Sequence, residues 1–207
     1  MRSRFLPEGR LLHTPENEAA CASRDGLRRA MEEETVLEGV AQLCDGAHNL
    51  LVSVGPFTGF LPREEAALGI AEGTTREIAI LSRVGKPVCF QITALEESEG
   101  VLRPRLSRRR AQQAALDAML AGLHPGCILP AVVTHLESFG AFVDIGCGVP
   151  SLIGIENISV SRIPHPDQRF RVGQAIFAVV QELDPKLGRV YLTHRELLGT
   201  WEENAAA

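Results

Sequence analysis

The sequence predicts a mainly β protein with two tandem five-stranded antiparallel barrels and linking helices. Three observations predict this fold class. Residues 124–195 contain five short apolar runs separated by turn residues, which is typical of a small all-β barrel. Residues 35–106 repeat the same order of runs and turns, which indicates an internal duplication. Between the two stretches, residues 107–123 carry alanines at helical spacing, so a linker helix is expected there.

Residues 1–34 are expected to form an extension that contains a helix and packs on the first barrel. The segment starts irregularly, with Pro7, Gly9 and Pro15. After them, Ser23 or Asp25 can cap a helix. No chemistry is indicated in this segment.

The first barrel, residues 35–106, is predicted to be degenerate. Its second strand, 49–54, has no aromatic pair, and an insertion at 64–83 is expected to hold a helical piece at 64–68 and an extra strand at 76–81. Phe57 and Phe60 could stack on bases, but a lone phenylalanine in a small domain is more often buried. We therefore expect this barrel to serve mainly as scaffold.

A dense group of arginines stands where the first barrel ends and the linker helix begins. Ser107 can cap that helix, and Gly122 can end it. The cluster can be a contact surface for phosphates, or it can pair with the protein's own glutamates. Its members, the candidate phosphate contacts, are Arg103, Arg105, Arg108, Arg109 and Arg110.

Side-chain alternation divides the second barrel, residues 124–195, into an inner and an outer face. In its second run, burial of the aliphatic residues leaves Phe142 and Asp144 pointing outward. In its last run Val190 and Leu192 make the inner set. The residues expected on the outer face of that run are Arg189, Tyr191 and Thr193.

The second barrel carries a set of motifs in one order. They are Phe139-Gly140-Ala141-Phe142-Val143, Leu152-Ile153-Gly154-Ile155 followed by Ser159, Val172-Gly173, and Asp184 with Gly188-Arg189-Val190-Tyr191-Leu192. This set resembles the RNA-binding repeat of the ribosomal protein S-one family, an OB-type barrel. In that family two phenylalanines, a third-strand histidine, an aspartate and an arginine form the RNA surface. The resemblance places these roles on Phe139, Phe142, Gly154, Asp184 and Arg189, so the histidine is replaced by glycine.

The resemblance implies a non-catalytic protein that holds single-stranded RNA, in translation or RNA metabolism. Phe139, Phe142 and Tyr191 would stack on bases, and Asp184 would accept a hydrogen bond from a 2′-hydroxyl or a base. The expected phosphate contacts of this barrel are Arg189, Arg162, Arg169 and Arg171. In the family such repeats come in strings, so residues 196–207, with Trp201, are expected to form a helix or linker toward a further repeat.

Composition limits the other function classes. The net charge of −5 argues against coating nucleic acid by charge alone. No run of about 18 apolar residues exists, so a cytoplasmic protein without a membrane span is expected. The five cysteines share no Cys-x-x-Cys spacing, so buried thiols are favoured over a metal site, and no cofactor is expected. No Ser/His/Asp set or carboxylate cluster indicates an enzyme.

A second function class stays open on the same residues. The barrel face or the Trp201 segment could dock another protein, such as a ribosome or a ribonuclease assembly. The acidic balance and the missing histidine favour this alternative. A groove of positive potential around Phe142 would favour RNA instead, whereas a flat apolar patch would favour a protein.

Overall fold

The structure is a computed structural model that describes residues 5–198. The chain divides into two compact units. One spans Glu8–Ala115, and the other joins the residues up to Pro7 to the chain from Leu116 onward. The expected helix at 196–207 and its Trp201 lie largely outside the described residues, which end in a short 3-10 turn at Arg195–Leu198.

Two short helices precede the first barrel. Helix α1 spans Pro15–Cys21 and is capped by Thr14, and helix α2 spans Arg24–Glu32. The hydroxyl of Ser23 accepts a hydrogen bond from the Gly26 amide, so Ser23 is the cap of α2.

A buried carboxylate attaches the segment before α1 to the first barrel. Glu38, which is only 1% exposed, accepts hydrogen bonds from the backbone amides of Gly9, Leu11 and Leu12. The Asn17 side chain adds bonds to the backbone amide and carbonyl of Glu38, at 2.8 and 3.0 Å. From residue 8 onward the extension thus packs on the first barrel, as expected.

Five strands form the first closed barrel, in the order β1-β2-β3-β5-β4. Their aliphatic residues fill the interior, where Leu50, Val52, Phe90 and Leu106 are fully buried. The strands are β1 (Leu37–Cys44), β2 (Leu50–Val54), β3 (Phe57–Leu61), β4 (Pro87–Ser98) and β5 (Val101–Ser107).

The insertion between β3 and β4 consists of turns with two short helical pieces and contains no strand. A 3-10 turn spans Arg63–Glu65, and helix α3 covers Ile78–Leu81, where an extra strand was expected. A short apolar run gives no period by which a strand can be told from a helix. Here the Ser82 amide bonds to the Ile78 carbonyl, which closes a helical turn.

Helix α4 spans Arg108–Gly122 and follows β5 directly. The hydroxyl of Ser107, the last residue of β5, accepts a hydrogen bond of 2.9 Å from the Arg110 amide. That contact satisfies one of the free amides at the start of the helix, as expected for a cap. Ala111, Ala115 and Met119 form the buried side of the helix.

The second closed barrel has the same topology, with the order β6-β7-β8-β10-β9. Ala141, Val143, Ile145, Val190 and Leu192 point inward, as the alternation predicted. Its strands are β6 (Ile128–Glu137), β7 (Gly140–Asp144), β8 (Pro150–Gly154), β9 (Ala175–Asp184) and β10 (Arg189–Thr193).

Two outward assignments were wrong. Asp144 is buried because its Oδ1 accepts the amides of Gly146 and Gly148 in the turn that follows, at 2.8 and 3.0 Å. Thr193 is fully buried, and its hydroxyl bonds to the Asn157 carbonyl.

Each barrel contains one parallel strand pair beside its antiparallel pairs, so the expected antiparallel character is confirmed only in part. Strand β3 runs parallel to β5, and β8 runs parallel to β10. Five strands in a closed barrel cannot all run antiparallel to both neighbours, because an odd number of strands leaves at least one neighbouring pair parallel. The mainly β class and the two five-stranded sheets agree with the expectation.

Candidate nucleic-acid interface

A row of side chains runs around the outside of the second barrel. Directly paired residues on neighbouring strands share a face. Phe142 on β7 pairs with Leu152 on β8, and Leu152 pairs with Tyr191 on β10. Tyr191 pairs with Glu182 on β9, and Phe142 pairs with His135 on β6. We call these five residues the outer row. Two of the predicted stacking residues, Phe142 and Tyr191, therefore lie on strands that are separated by a single strand, β8.

Phe139 lies beside the outer row, directly before the first residue of β7. Its ring is 54% exposed and meets the Phe142 ring edge to face, with centroids 6.1 Å apart. Phe142 itself is half-buried. Exposed ring faces of this kind are what bases stack on.

His135 is a member of the outer row that sequence reasoning missed as a site residue. Its ring lies 6.3 Å from the Phe142 ring, tilted by 31°, and its Nε2 is 2.7 Å from the Glu137 carboxylate. Strict alternation from Val133 puts residue 135 on the inner face. A β-bulge between Val133 and His135 turns the side chain outward instead. The third strand has glycine where the family has its histidine, but a histidine of the first strand lies beside Phe142.

Gly154, the last residue of β8, pairs with Gly140, the first residue of β7, at the end of this strand pair that is away from its connecting turn. A side chain at residue 154 would collide with the carboxyl group of Glu156, which lies over the glycine. The backbone continues beside Phe139, since the Ile155 amide donates to the Phe139 carbonyl at 2.9 Å. The position where the family has a histidine is thus covered by a carboxylate.

Asp184 and Arg189 lie at the two ends of the β9–β10 turn and are register partners. The Oδ1 atom of Asp184 accepts the amides of Lys186 and Leu187, both at 3.0 Å. Asp184 therefore has a structural role in forming the turn. Arg189 is exposed, and Tyr191, two residues further on the same face, connects it to the outer row.

The three loop arginines Arg162, Arg169 and Arg171 are all exposed on the connection from β8 to β9. Arg162 lines a groove of about 780 Å³ that begins at Ile155, next to Phe139. Arg195, which the sequence reasoning did not single out, lines the same groove and donates to the Glu156 carbonyl at 3.4 Å. The structure thus brings Arg162 near the aromatic end of the barrel. No contact within residues 5–198 does the same for Arg169 or Arg171.

The arginine cluster of the first unit does not act as one surface, which corrects the expectation for Arg108. Arg108 is 5% exposed, and its Nε and Nη2 donate to the buried carboxylate of Glu8, at 2.6 and 2.9 Å. Burial alone raises the pKa of Glu8, but the charges of Arg108 and Arg83 outweigh it and hold that pKa below its ordinary value. A buried guanidinium paired in this way cannot meet a phosphate.

The other four arginines of the cluster differ among themselves. Arg109 pairs with Glu72 at 2.6 Å, and Arg105 lies 3.6 Å from Glu96. The guanidinium of Arg105 also lies over the Phe60 ring, 5.9 Å from its centroid. Phe60 is therefore half-buried on the outer face and not in the core. The two members with exposed side chains are Arg103 and Arg110.

The described part of the chain shows neither a cluster of metal ligands nor a membrane-spanning helix. Residues 5–198 contain no group of three or more His, Cys, Asp or Glu side chains that could hold a metal ion. In this range no helix is both long and apolar enough to cross a membrane. Cys21, Cys89 and Cys147 are buried thiols, and burial raises the pKa of Cys21 to about 11.

Comparison with known proteins gives one family match. Residues 123–195 match the model of the S1 (S-one) RNA binding domain. The small ribosomal subunit protein bS1 of Neisseria meningitidis is 28% identical over 177 residues, which cover 83% of this chain and 29% of the relative. Protein tex of Bordetella pertussis is 37% identical over 113 residues, 55% of this chain and 14% of the relative.

The chain spans less than a third of the length of these two relatives. Among solved structures, that of GSP13 from Bacillus subtilis is 22% identical and covers 38% of this chain and 60% of its own, with a TM-score of 0.36. The alignment with the Neisseria protein extends over 177 residues, more than the 123–195 stretch contains. It therefore includes residues of the first barrel.

Proposed function

The second barrel is an S1-type RNA-binding domain, and from this premise we propose that the protein holds single-stranded RNA on the outer row, without catalysis. The observation that carries the proposal is the edge-to-face pair of the exposed Phe139 and the half-buried Phe142, continued by His135 on one side and Tyr191 on the other. Several ring faces on one barrel surface can take successive bases of a strand. Stacking contributes about 1–3 kcal/mol per base.

Local cations, not the overall charge, supply the phosphate contacts. The chain carries a net charge of −5, so attraction between the whole protein and a polyanion is weak. Arg189 stands at the Tyr191 end of the outer row, and Arg162 and Arg195 line the groove at the Phe139 end. A strand on the row would thus have arginines at both ends. Arg169 and Arg171 are the outlying members of this proposed set.

Asp184 contributes mainly by stabilising the β9–β10 turn, which positions Arg189. Its Oδ1 is engaged by two backbone amides, so contact with a 2′-hydroxyl falls to the second oxygen of the carboxylate.

The cellular setting that we propose is translation, in the cytoplasm. The relative from Neisseria meningitidis is a small ribosomal subunit protein, and its alignment covers most of this chain. We propose that RNA near or on the ribosome is the partner, with RNA-processing proteins as further candidates.

The test is a titration of two phenylalanine variants with a labelled single-stranded RNA oligomer. Phe142→Ala removes a ring of the outer row, and we expect it to weaken binding by about 1–3 kcal/mol while the protein stays folded at the temperature of the titration. Phe177→Ala is the matched control. Phe177 is 62% exposed on β9 and pairs with Pro130, away from the outer row.

We expect Phe177→Ala to bind RNA as the wild type does. Equal affinity of wild type and Phe142→Ala, or an equal loss in both variants, would contradict the proposed surface. A matching DNA oligomer in the same titration shows whether the 2′-hydroxyl contributes.

The first barrel favours a second candidate function, the docking of a protein partner. Its row corresponding to the outer row contains Leu43, Leu51, Phe60 and Arg105. Leu43 is 50% exposed, and apolar side chains of this kind suit a protein surface better than RNA. Leu43→Glu should abolish co-sedimentation with ribosomes and leave RNA affinity unchanged if this candidate is correct. The Trp201 segment, the other docking element considered, lies outside the described residues.

A further inference from the structure

A pair of glycines lies beside the aromatic rings of the second barrel. Gly140 and Gly154 are register partners, and each stands two residues along its strand from Phe142 or Leu152. Gly140 is buried, with the backbone carbonyl of Ile153 against the position that a side chain there would take. Gly154 is half-buried beneath the carboxylate of Glu156. We call this place, where neither strand contributes a side chain next to the Phe139–Phe142 ring pair, the recess.

The carboxylate of Glu156 forms one wall of the recess. Its Cδ, Oε1 and Oε2 atoms are the three nearest neighbours of the position that a side chain on Gly154 would take. Glu156 is exposed, and no ion pair within residues 5–198 engages its carboxylate. Arg195 donates to its backbone carbonyl instead. Both carboxylate oxygens can therefore accept hydrogen bonds from a ligand.

On the opposite side of the recess, the carboxylate of Glu137 is already engaged. Glu137 pairs in register with Gly140, and its Oε1 is 2.7 Å from Nε2 of His135. Glu156 is thus the carboxylate of this recess that is open to a ligand.

The register places this carboxylate within reach of a stacked base. Gly154 is the diagonal neighbour of Phe142 across the β7–β8 pair, and such neighbours are separated by about 7–8 Å. A base that stacks on the Phe142 ring and extends over the recess would present one edge to Glu156. Stacking itself is tolerant of sequence, so any base preference must come from a polar group such as this one.

We propose that Glu156 gives the site a preference for guanine, an inference that rests on the proposed RNA-binding function. Guanine has two donors side by side, N1–H and the N2 amino group, and can bond both oxygens of one carboxylate. Bidentate bonds to an ionised acceptor are the stronger kind. Adenine and cytosine offer an amino group beside an acceptor nitrogen, and uracil offers one N–H between two carbonyls. In a single strand these edges are free to be read.

The experiment compares four labelled octamers that are uridine at all positions except a central guanine, adenine, cytosine or uridine. Fluorescence anisotropy at fixed salt gives the Kd of each for the wild type and for Glu156→Gln. The wild type should bind the guanine octamer about 5- to 100-fold more tightly than the uridine octamer, the range expected for one good bidentate contact. Glu156→Gln keeps the shape but has one acceptor oxygen and no charge. We expect the guanine preference to fall to about twofold or less.

Glu33→Gln is the control for the change in net charge, since Glu33 is exposed at the end of α2 in the other unit. It should keep the full guanine preference. Equal binding of all four octamers by the wild type, or a preference that survives in Glu156→Gln, overturns the inference while RNA binding stands. Failure to bind any of the octamers overturns the proposed function itself, and this inference with it.

Discussion

At the scale of single residues, burial decides what each of three consecutive arginines can do. Arg108 is enclosed with Glu8, whereas Arg110 has its side chain in solvent. Removing one partner of a buried ion pair leaves the other charge without compensation, at a cost of about 3–5 kcal/mol. Removing an exposed charge changes stability by about 0.5 kcal/mol or less. The sequence alone does not distinguish these arginines. The structure shows that Arg108 stabilises the fold, whereas Arg110 is a candidate phosphate contact.

Arg108→Gln should therefore lower the free energy of unfolding by about 3 kcal/mol at pH 7. The loss should shrink as the pH falls toward 3. In the wild type, the pKa of Glu8 is lower in the folded protein than in the unfolded chain, where it is about 4.3. The stability that the Arg108–Glu8 pair contributes is therefore fully present above the unfolded pKa, and it is lost as the pH falls through the folded pKa. In the variant Arg83 still donates to Glu8 at 3.0 Å, so the charge of Glu8 is only partly compensated, and protonation of Glu8 relieves the remainder. Denaturant unfolding at several pH values measures both curves.

Arg110→Gln is the control, and it should match the wild type in stability throughout that pH range. A constant difference between Arg108→Gln and wild type from pH 7 to 3 would mean that the pair with Glu8 is not the cause. The salt dependence of RNA binding separates the roles further. Loss of one phosphate contact on a single strand flattens the slope by about 0.7, which is expected for Arg110→Gln and not for Arg108→Gln.

At the scale of elements, the extended segment before α1 depends on one side chain of β1. The Glu38 carboxylate accepts three backbone amides of residues 9–12. Glu38→Gln leaves one acceptor oxygen for these three donors, and its new NH₂ group faces at least one of them. We expect a loss of about 1–3 kcal/mol in the free energy of unfolding. Hydrogen exchange at the Leu11 and Leu12 amides should become faster before global unfolding does.

Glu33→Gln should leave exchange at these two amides unchanged, because Glu33 is exposed and does not contact the segment. If Glu38→Gln protects the Leu11 and Leu12 amides as well as the wild type does, the segment is held by the Asn17 contacts instead.

The strands show how far sequence reasoning reaches. Alternation was sufficient for the inner residues of β7 and β10, because burial of aliphatic side chains follows a period of two. It failed at the β-bulges, since one extra residue reverses the faces that follow it. His135 and Leu43 both come just after such a bulge and therefore point outward. It failed also at Asp144, whose burial depends on hydrogen bonds to a turn that no local pattern reveals.

At the scale of the whole molecule, duplication has produced two barrels with one register and different outer surfaces. Both have a bulge in the first strand and a parallel pair between the third and fifth strands. Where the second barrel has His135, Phe142 and Tyr191, the first has Leu43, Leu51 and Arg105. The backbone is thus repeated, but the row of the first barrel holds a single aromatic ring, Phe60, whereas the outer row of the second barrel holds three. This difference suggests a division of labour between binding and scaffold.

The division predicts that replacing a phenylalanine on the outer face changes the RNA affinity in the second barrel and not in the first. Phe60 is half-buried against its barrel, with the guanidinium of Arg105 at 5.9 Å from the ring centroid. Phe60→Ala should lower the free energy of unfolding by about 1–3 kcal/mol, less than for a core phenylalanine, and leave the RNA affinity unchanged. Phe142→Ala should weaken RNA binding by about 1–3 kcal/mol, with a stability loss no larger than that of Phe60→Ala, because both rings are half-buried. Thermal unfolding and RNA titration of both variants, at the same salt concentration, supply the comparison. An equal loss of RNA affinity in the two variants would show that the barrels share the binding, because the ring of the first barrel would then also carry a base.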